Sequence, residues 1–441
     1  MSEAIAGQRD QRRLLILVLI IFTLKAIVAF WIIPAFKEQI HAVYGVGTND
    51  NYELIAQNLR LGLGYRITPE TSLTLMREPG YPLFLAALFY LFGPDLRIVV
   101  AANLVLSSLS AFLVSRLARY ICPDSRVALI APLLFLIHPG VAVAELRSGV
   151  EIPFIFLLLC FFLVLRRALQ SEKPSGYALA GLVLGLACSV RSTVLLFPPF
   201  LLLYHLWRER SWAALGRSAA RAALMMFTLS VVISPWVVRN YLLVHKFVPT
   251  ASVQGVSMQV GYYQCVHGGS GEGFHDMEVE AAQIRVDAAQ AGGYRFIGDY
   301  YQYFFDPNDE VRFNSSLQHQ VLQSYRQSPA LFIKCASENV VNFWFTGKNR
   351  LATLGGVLVQ VPYLILALMG LIMGFRRSER PIVFCMFLFA LYSMAVCAPI
   401  HAEARYSVPL VPTLAIFAAI PLSRLVDRLR DRKAQRSSAA E

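Results

Sequence analysis

Carboxylates and arginines in this chain stand where acid–base and phosphate chemistry can be done. Asp50, Tyr52 and Glu53 lie in "GTNDNYELIAQNLRLGLGY", and Arg77, Glu78 and Tyr81 lie in "MREPGYPLFLA". Glu151 follows in "HPGVAVAELRSGVEIPF". Arg191 stands in "CSVRST", Arg239 in "SPWVVRNY", and Arg405 in "HAEARYSVP" beside His401, Glu403 and Tyr406. A carboxylate can take a proton from an attacking hydroxyl. An arginine fork matches phosphate oxygens. From Asp50 to Arg60 the spacing is helical: Asp50, Glu53 and Gln57 share one face, and Leu54, Ile55 and Leu59 supply the apolar side. Gly62 and Gly64 end that helix. Each feature also has a plainer reading. Asp50-x-x-Glu53 is a capping-box pattern. Arg77 beside Glu78 is a solvated pair, Glu151 favours a helix N-terminus, and a boundary arginine snorkels.

Apolar helices must position these groups. Of 441 residues, 56% are hydrophobic and 15% charged, whereas soluble domains run near half apolar and about a quarter charged. The excess is gathered in runs at 14–36, 98–118, 127–138, 150–165, 177–190, 193–206, 220–236, 354–375, 382–397 and 407–422. A helix of roughly 20 apolar residues crosses a bilayer core, so the runs predict an all-α polytopic membrane protein with about ten transmembrane helices. The first run is long and lacks a small-residue cleavage site, so it reads as a retained span rather than a signal peptide.

The net charge of +12 is distributed as short basic clusters between the runs, which is the positive-inside pattern rather than a nucleic-acid face. The clusters fall at Arg9 to Arg13, Arg116 to Arg126, Arg166 to Lys173, Arg208 to Arg221, Arg376 to Arg380, and from Arg424 onward. They share one side only if the run 81–92 does not cross. That run is short and bracketed by Pro79, Pro82 and Gly93-Pro94, so it reads as interfacial or re-entrant. Both termini then face the cytoplasm across a plasma (inner) membrane, and the short outer connections carry Arg147, Arg191 and Arg405. Two large outer loops result, 37–97 and 237–353. The chain divides into a transmembrane module (1–236), an outer region (237–353) with helix-like stretches at 309–325 and 330–345, C-terminal spans (354–423) and a basic tail (424–441). Lys25 lies near the middle of the first span, where an ionisable group points to function or to a partner on a neighbouring helix. Seven cysteines stand singly, with no CxxC and no zinc spacing. Cys265 and Cys335 share the second loop and can pair if it is exported.

In order along the chain, "NYELIAQNLRLGLGY", "REPGYPLFLA", "ELRSGVEIPF", "GLVLGLACSVRSTVLLFPP", "SPWVVRNYLLVHKFVPT", "SPALFIKCASENVVNFWF" and "HAEARYSVPLVP" resemble the GT-C glycosyltransferases of the protein-mannosyltransferase and aminoarabinose-transferase type. The resemblance implies transfer of a hexosyl or pentosyl unit from a polyprenyl-phosphate sugar donor to an unidentified acceptor (lipid, glycan or protein) at the outer face, with inversion. It implies that Asp50 matches the acidic residue proposed as base and that Glu151 matches a second acidic residue. Arg77, Arg191 and Arg405, with Arg239, match cations that hold the lipid phosphate. Tyr52, Glu78, Tyr81, His401, Glu403 and Tyr406 would line the pocket. Asp50 stands closer to Tyr52 than is usual in the family, which leaves Glu53 as an alternative base. No definite cofactor follows: the family has members with and without a bound metal, so a divalent ion stays open. The donor carries its own leaving group, so no Gly-rich nucleotide loop is required. The rival readings are a glycan polymerase or ligase using lipid diphosphates and a transporter; a transporter would be expected to show repeated halves.

Overall fold

The computed structural model describes residues 2–35, 50–209, 212–268, 274–347 and 349–438, and in it the apolar runs fall on helices. We number the helices in chain order. α1 is Ser2–Ile27, continued by a π-turn at Val28–Ile32; α2 is Tyr52–Arg60 and α3 Gly80–Phe92. Then come α4 (Leu96–Ile121), α5 (Val127–Ile137), α6 (Pro139–Glu145), α7 (Glu151–Ser171), α8 (Pro174–Val190), α9 (Phe197–Glu209) and α10 (Trp212–Val244). The region 237–353 goes on to hold α11 (Gln254–His267), α12 (Phe274–Ala291), the hairpin β1 (Phe296–Ile297) and β2 (Tyr303–Phe304), α13 (Pro307–Gln327) and α14 (Pro329–Phe345). α15 (Arg350–Met373), α16 (Arg380–Cys397) and α17 (Val411–Ser438) complete the chain.

Among the described residues, seven helices are long and apolar enough to cross a membrane, or eight if α5 and α6 form one span bent by 58°. The bend has a local cause. His138 precedes Pro139, and that position is pushed out of the helical region; His138 is extended, at φ −65° and ψ 124°. Length alone thus supports fewer spans than the expected ten, because the runs 177–190 and 193–206 form the shorter helices α8 and α9. The thirteen residues of α3 rise about 20 Å at 1.5 Å each, short of the ~30 Å hydrocarbon core. That matches the interfacial reading of 81–92.

Two details depart from the sequence expectation. The helix expected from Asp50 onward begins at Tyr52; Asn51 precedes it in the left-handed region at φ 60° and makes no side-chain capping bond. Asn is among the few residues that tolerate that conformation, and the kink turns Asp50 out of the helix line. The capping-box reading of Asp50 therefore fails. The second departure is α10, which runs through Pro235 to Val244, so Arg239 lies inside a helix rather than beyond its end.

The bundle has two chemically different ends. At one, Arg166 makes a forked pair with Glu379, both contacts 2.6 Å, Arg126 pairs with Asp427, and the Arg376 amide donates to Ile121. At the other, Glu151 opens α7, Arg191 closes α8, and Arg405 lies in a 3-10 turn (Ala404–Leu410) ahead of α17. Between them the core is packed aromatic: Phe389 meets Phe197 at 5.1 Å and Phe162 at 5.6 Å between ring centres. Lipid is as apolar as these side chains, so close packing rather than water exclusion holds membrane helices together. Gly80 shows how close: a Cβ there would stand 2.7 Å from the Ser189 carbonyl oxygen, so only glycine lets the start of α3 rest on the end of α8. The helices between α10 and α15 have their own small cores, including Val256, Phe304, Phe313 and Leu317. The Cys265–Cys335 disulfide joins α11 to α14, with Cα atoms 5.4 Å apart.

Candidate active site

Three segments distant in sequence converge on Asp50. Arg77 Nε donates to the Asp50 carbonyl (3.0 Å) and Nη2 to Oδ1 (3.2 Å); Arg405 Nη1 donates to Oδ2 (3.1 Å). Arg405 also pairs with Glu403 through Nε at 3.2 Å, and His401 Nε2 lies 3.0 Å from the same carboxylate. The result is a row of alternating charge, Arg77–Asp50–Arg405–Glu403, buried at Arg77 and Glu403 and partly exposed at Asp50 and Arg405. Burial pushes the Asp50 carboxyl up, but the Arg405 and Arg77 guanidiniums, with Arg147 beyond, outweigh it and hold the group below its ordinary value. Asp50 is therefore a carboxylate, and each of its oxygens keeps a second lone pair for another donor.

The Arg77 segment is anchored from several sides. Its guanidinium lies 5.1 Å from the Tyr52 ring centre and 5.3 Å from that of Tyr301 on the hairpin loop. Tyr65 Oη donates to the carbonyls of Arg77 and Glu78, at 3.0 and 2.9 Å. Glu310 on α13 accepts from Thr74 Oγ1 (2.7 Å), the Leu75 amide (3.0 Å) and Ser252 Oγ; burial raises this carboxyl despite those donors. Arg239 donates to the Thr74 carbonyl at 3.0 Å and lies 4.5 Å from the Trp236 ring centre. Arg77 is thus occupied in holding the centre together, and Arg239 is anchored through Nη1, although its buried Nη2 has no hydrogen-bond partner among the described residues. Glu78 likewise accepts from the Ser192 amide (3.2 Å) and hydroxyl (2.5 Å), tying this segment to the turn after α8.

Arg191 differs. Its guanidinium lies 4.7 Å from the Tyr406 ring centre, and among the described residues its buried Nη1 has no hydrogen-bond partner. It borders a narrow cleft with room for about one water, about 10 Å³, otherwise mostly apolar and lined by Phe154, Phe389, Cys397, Tyr406 and Leu410. A cation among apolar side chains suits an anionic head on a hydrocarbon tail, for which the helices around this cleft would have to part.

Around Asp50, Tyr81 meets Tyr52 edge to face at 5.0 Å, and its hydroxyl lies 3.3 Å from Ser148 Oγ. Burial raises the Glu53 carboxyl, whose Oε1 lacks a partner among the described residues. Glu151 is buried at the start of α7 and bears electrostatically on Tyr52, Tyr81 and Arg405. The structure thus brings Arg77, Arg405 and Glu403 to Asp50, places Glu53 within electrostatic reach of it, braces the Arg77 segment with Glu78 and Arg239, and sets Arg191 apart against Tyr406. Sequence reasoning missed Glu310, Tyr301, Ser148 and Asn51, the last of which donates to Tyr303 Oη at 2.6 Å. Only the acidic start of the 309–325 stretch offered a hint. For a divalent ion the donor set is poor. Both Asp50 oxygens face arginines, and among the described residues no group of three or more His, Cys, Asp and Glu side chains can hold a metal.

A family model for dolichyl-phosphate-mannose-protein mannosyltransferases matches residues 77–239. An oligosaccharyltransferase from Archaeoglobus fulgidus, tethered with an acceptor peptide, has a similar fold: TM-score 0.50 at 13% identity, over 95% of this chain and 50% of that one. This chain thus spans about half the length of that protein. ArnT from Cupriavidus metallidurans, bound to undecaprenyl phosphate, is 16% identical over 93% of this chain and 78% of that one, with a TM-score of 0.41. No curated protein sequence matches the chain.

Proposed function

We propose that this integral membrane protein, which has the GT-C fold and a protein-mannosyltransferase-type segment, transfers a sugar from a polyprenyl-phosphate donor to an acceptor hydroxyl at the outer membrane face. The observation that carries the reading is the partly buried Asp50 carboxylate, clamped by Arg77 and Arg405, with Arg191 beyond Tyr406 keeping an unpaired donor among the described residues. Asp50 accepts the acceptor's proton as its oxygen attacks the anomeric carbon. The bond to the lipid phosphate breaks on the opposite face, so the centre inverts. Arg191, with Arg405 at its side, stabilises the charge that grows on the departing phosphate, where preformed donors act most strongly. Arg77 sets the angle of Asp50. Glu53 is the second candidate for the base, and Glu151 lines the sugar side. The sugar leaves on its lipid phosphate, so the scheme runs through no metal.

The outer placement is supported by the two ends of the bundle, since the basic clusters gather opposite Asp50. The disulfide supports it too, because such bonds persist in oxidising compartments. A topology reporter inserted after Arg66 or after Gly293 is expected to read external, and one after Lys173 internal. An external signal at Lys173 overturns the orientation. The function itself is tested by mass spectrometry of envelope glycolipids and glycoproteins from cells with and without the gene. One sugar modification should disappear; an unchanged profile rejects the reading, and accumulation of an intact substrate on one side of the membrane favours a transporter.

A further inference from the structure

We propose that Lys25 and Asn103, polar side chains on two apolar membrane helices, position the turn 145–151 that borders the Asp50 centre. The catalytic consequence rests on the transferase reading above. Lys25 Nζ on α1 lies 2.7 Å from both carboxylate oxygens of Glu145, the last residue of α6. Asn103 on α4 is fully buried and donates to the carbonyls of Glu145 (3.2 Å) and Arg147 (2.9 Å). Two helices thus grip one short stretch of chain.

That stretch has no helix to hold it in register. α6 is only seven residues long, broken from α5 at His138 and from α7 by the turn after Glu145. Immediately beyond Glu145 come Arg147, whose charge bears on Asp50, Ser148, which meets the Tyr81 hydroxyl, and Glu151. The Lys25–Glu145 ion pair adds little stability of its own. Taking two charges out of water costs as much as their attraction returns, and apolar replacements of buried pairs are often neutral or stabilising. Asn103 Oδ1 has no partner among the described residues, a further cost. What apolar side chains in these places would not supply is direction: a forked pair and two carbonyl bonds fix the turn against both α1 and α4.

The test is amide hydrogen–deuterium exchange on the full-length protein in nanodiscs, comparing wild type with Lys25→Met/Glu145→Gln, which leaves no unpaired charge in the membrane. Exchange across 146–151 should quicken while α4 and α7 stay protected, and envelope product should fall about tenfold to a hundredfold, the scale of an ångström's misplacement. The swapped pair Lys25→Glu/Glu145→Lys should restore both. Unchanged exchange across 146–151 overturns the positioning role, and so does a loosened turn with full product. If the double variant does not accumulate, Asn103→Leu carries the same two readouts. Failure of the transferase reading is separable: Asp50→Asn then leaves the product unchanged, while the exchange comparison is read on the protein alone.

Discussion

Asp50→Asn is expected to lower sugar transfer by roughly a hundredfold or more, the usual share of a general base. The substitution also strips Arg77 and Arg405 of their shared counter-charge, so thermal stability should fall as well, by about 3–5 kcal/mol at most. Two controls separate the effects. Glu53→Gln removes a neighbouring carboxyl without stranding an arginine; full activity in Asp50→Asn with loss in Glu53→Gln would transfer the role to Glu53. Full activity in both removes this loop from the chemistry. The pH profile is the second control. Asp50 titrates below its ordinary value of 3.8, so wild-type activity should persist into mild acid and fall only as the pH drops through that lowered value. The stability the pair contributes follows the same sign, present above the unfolded carboxyl's pKa and lost as the pH falls through the folded one. Arg405→Met should move the acid limb of the profile upward.

Arg191→Met should cost transfer about 2–4 kcal/mol of transition-state stabilisation, roughly 30-fold to 1,000-fold, as loss of other fixed electrostatic donors does. No hydrogen bond ties Arg191 to a carboxylate in the described residues, so its removal leaves no stranded anion, and the melting temperature should hold. Arg405 offers no such clean substitution, since it answers both Asp50 and Glu403. Binding of undecaprenyl phosphate to the purified protein, measured by native mass spectrometry, should weaken in parallel. Normal turnover and normal binding would reduce Arg191 to an anchor at the membrane boundary.

The sequence was most legible where a pattern has a single physical cause. Runs of apolar residues became helices, and the proline-bracketed run 81–92 became the short helix α3, because length and periodicity decide both. Candidate charges were legible as types but not as partners. Arg77 reads equally well as a phosphate ligand, a surface pair or a brace, and only the fold brings it to Asp50, 27 positions away. Asp50 reads as a helix cap until Asn51 takes a left-handed conformation, which no local pattern specifies. Glu310, Lys25 and Glu145 show the same limit. Their partners lie 236 and 120 positions away, and only tertiary packing defines such pairs.

The Cys265–Cys335 bond has a consequence for how the protein is made. It closes α11 onto α14, and between the two cysteines the chain supplies the hairpin that rests Tyr301 on Arg77 and Tyr303 on Asn51. Cys335 must have been delivered to an oxidising compartment before that ring can close. Chains fold as their segments emerge, so the helices from α1 to α10 can already be seated in the membrane when it does. Arg405, which lies far beyond Cys335 and supplies the second arginine on Asp50, is made later still, so a chain still being synthesised carries an open, incomplete centre.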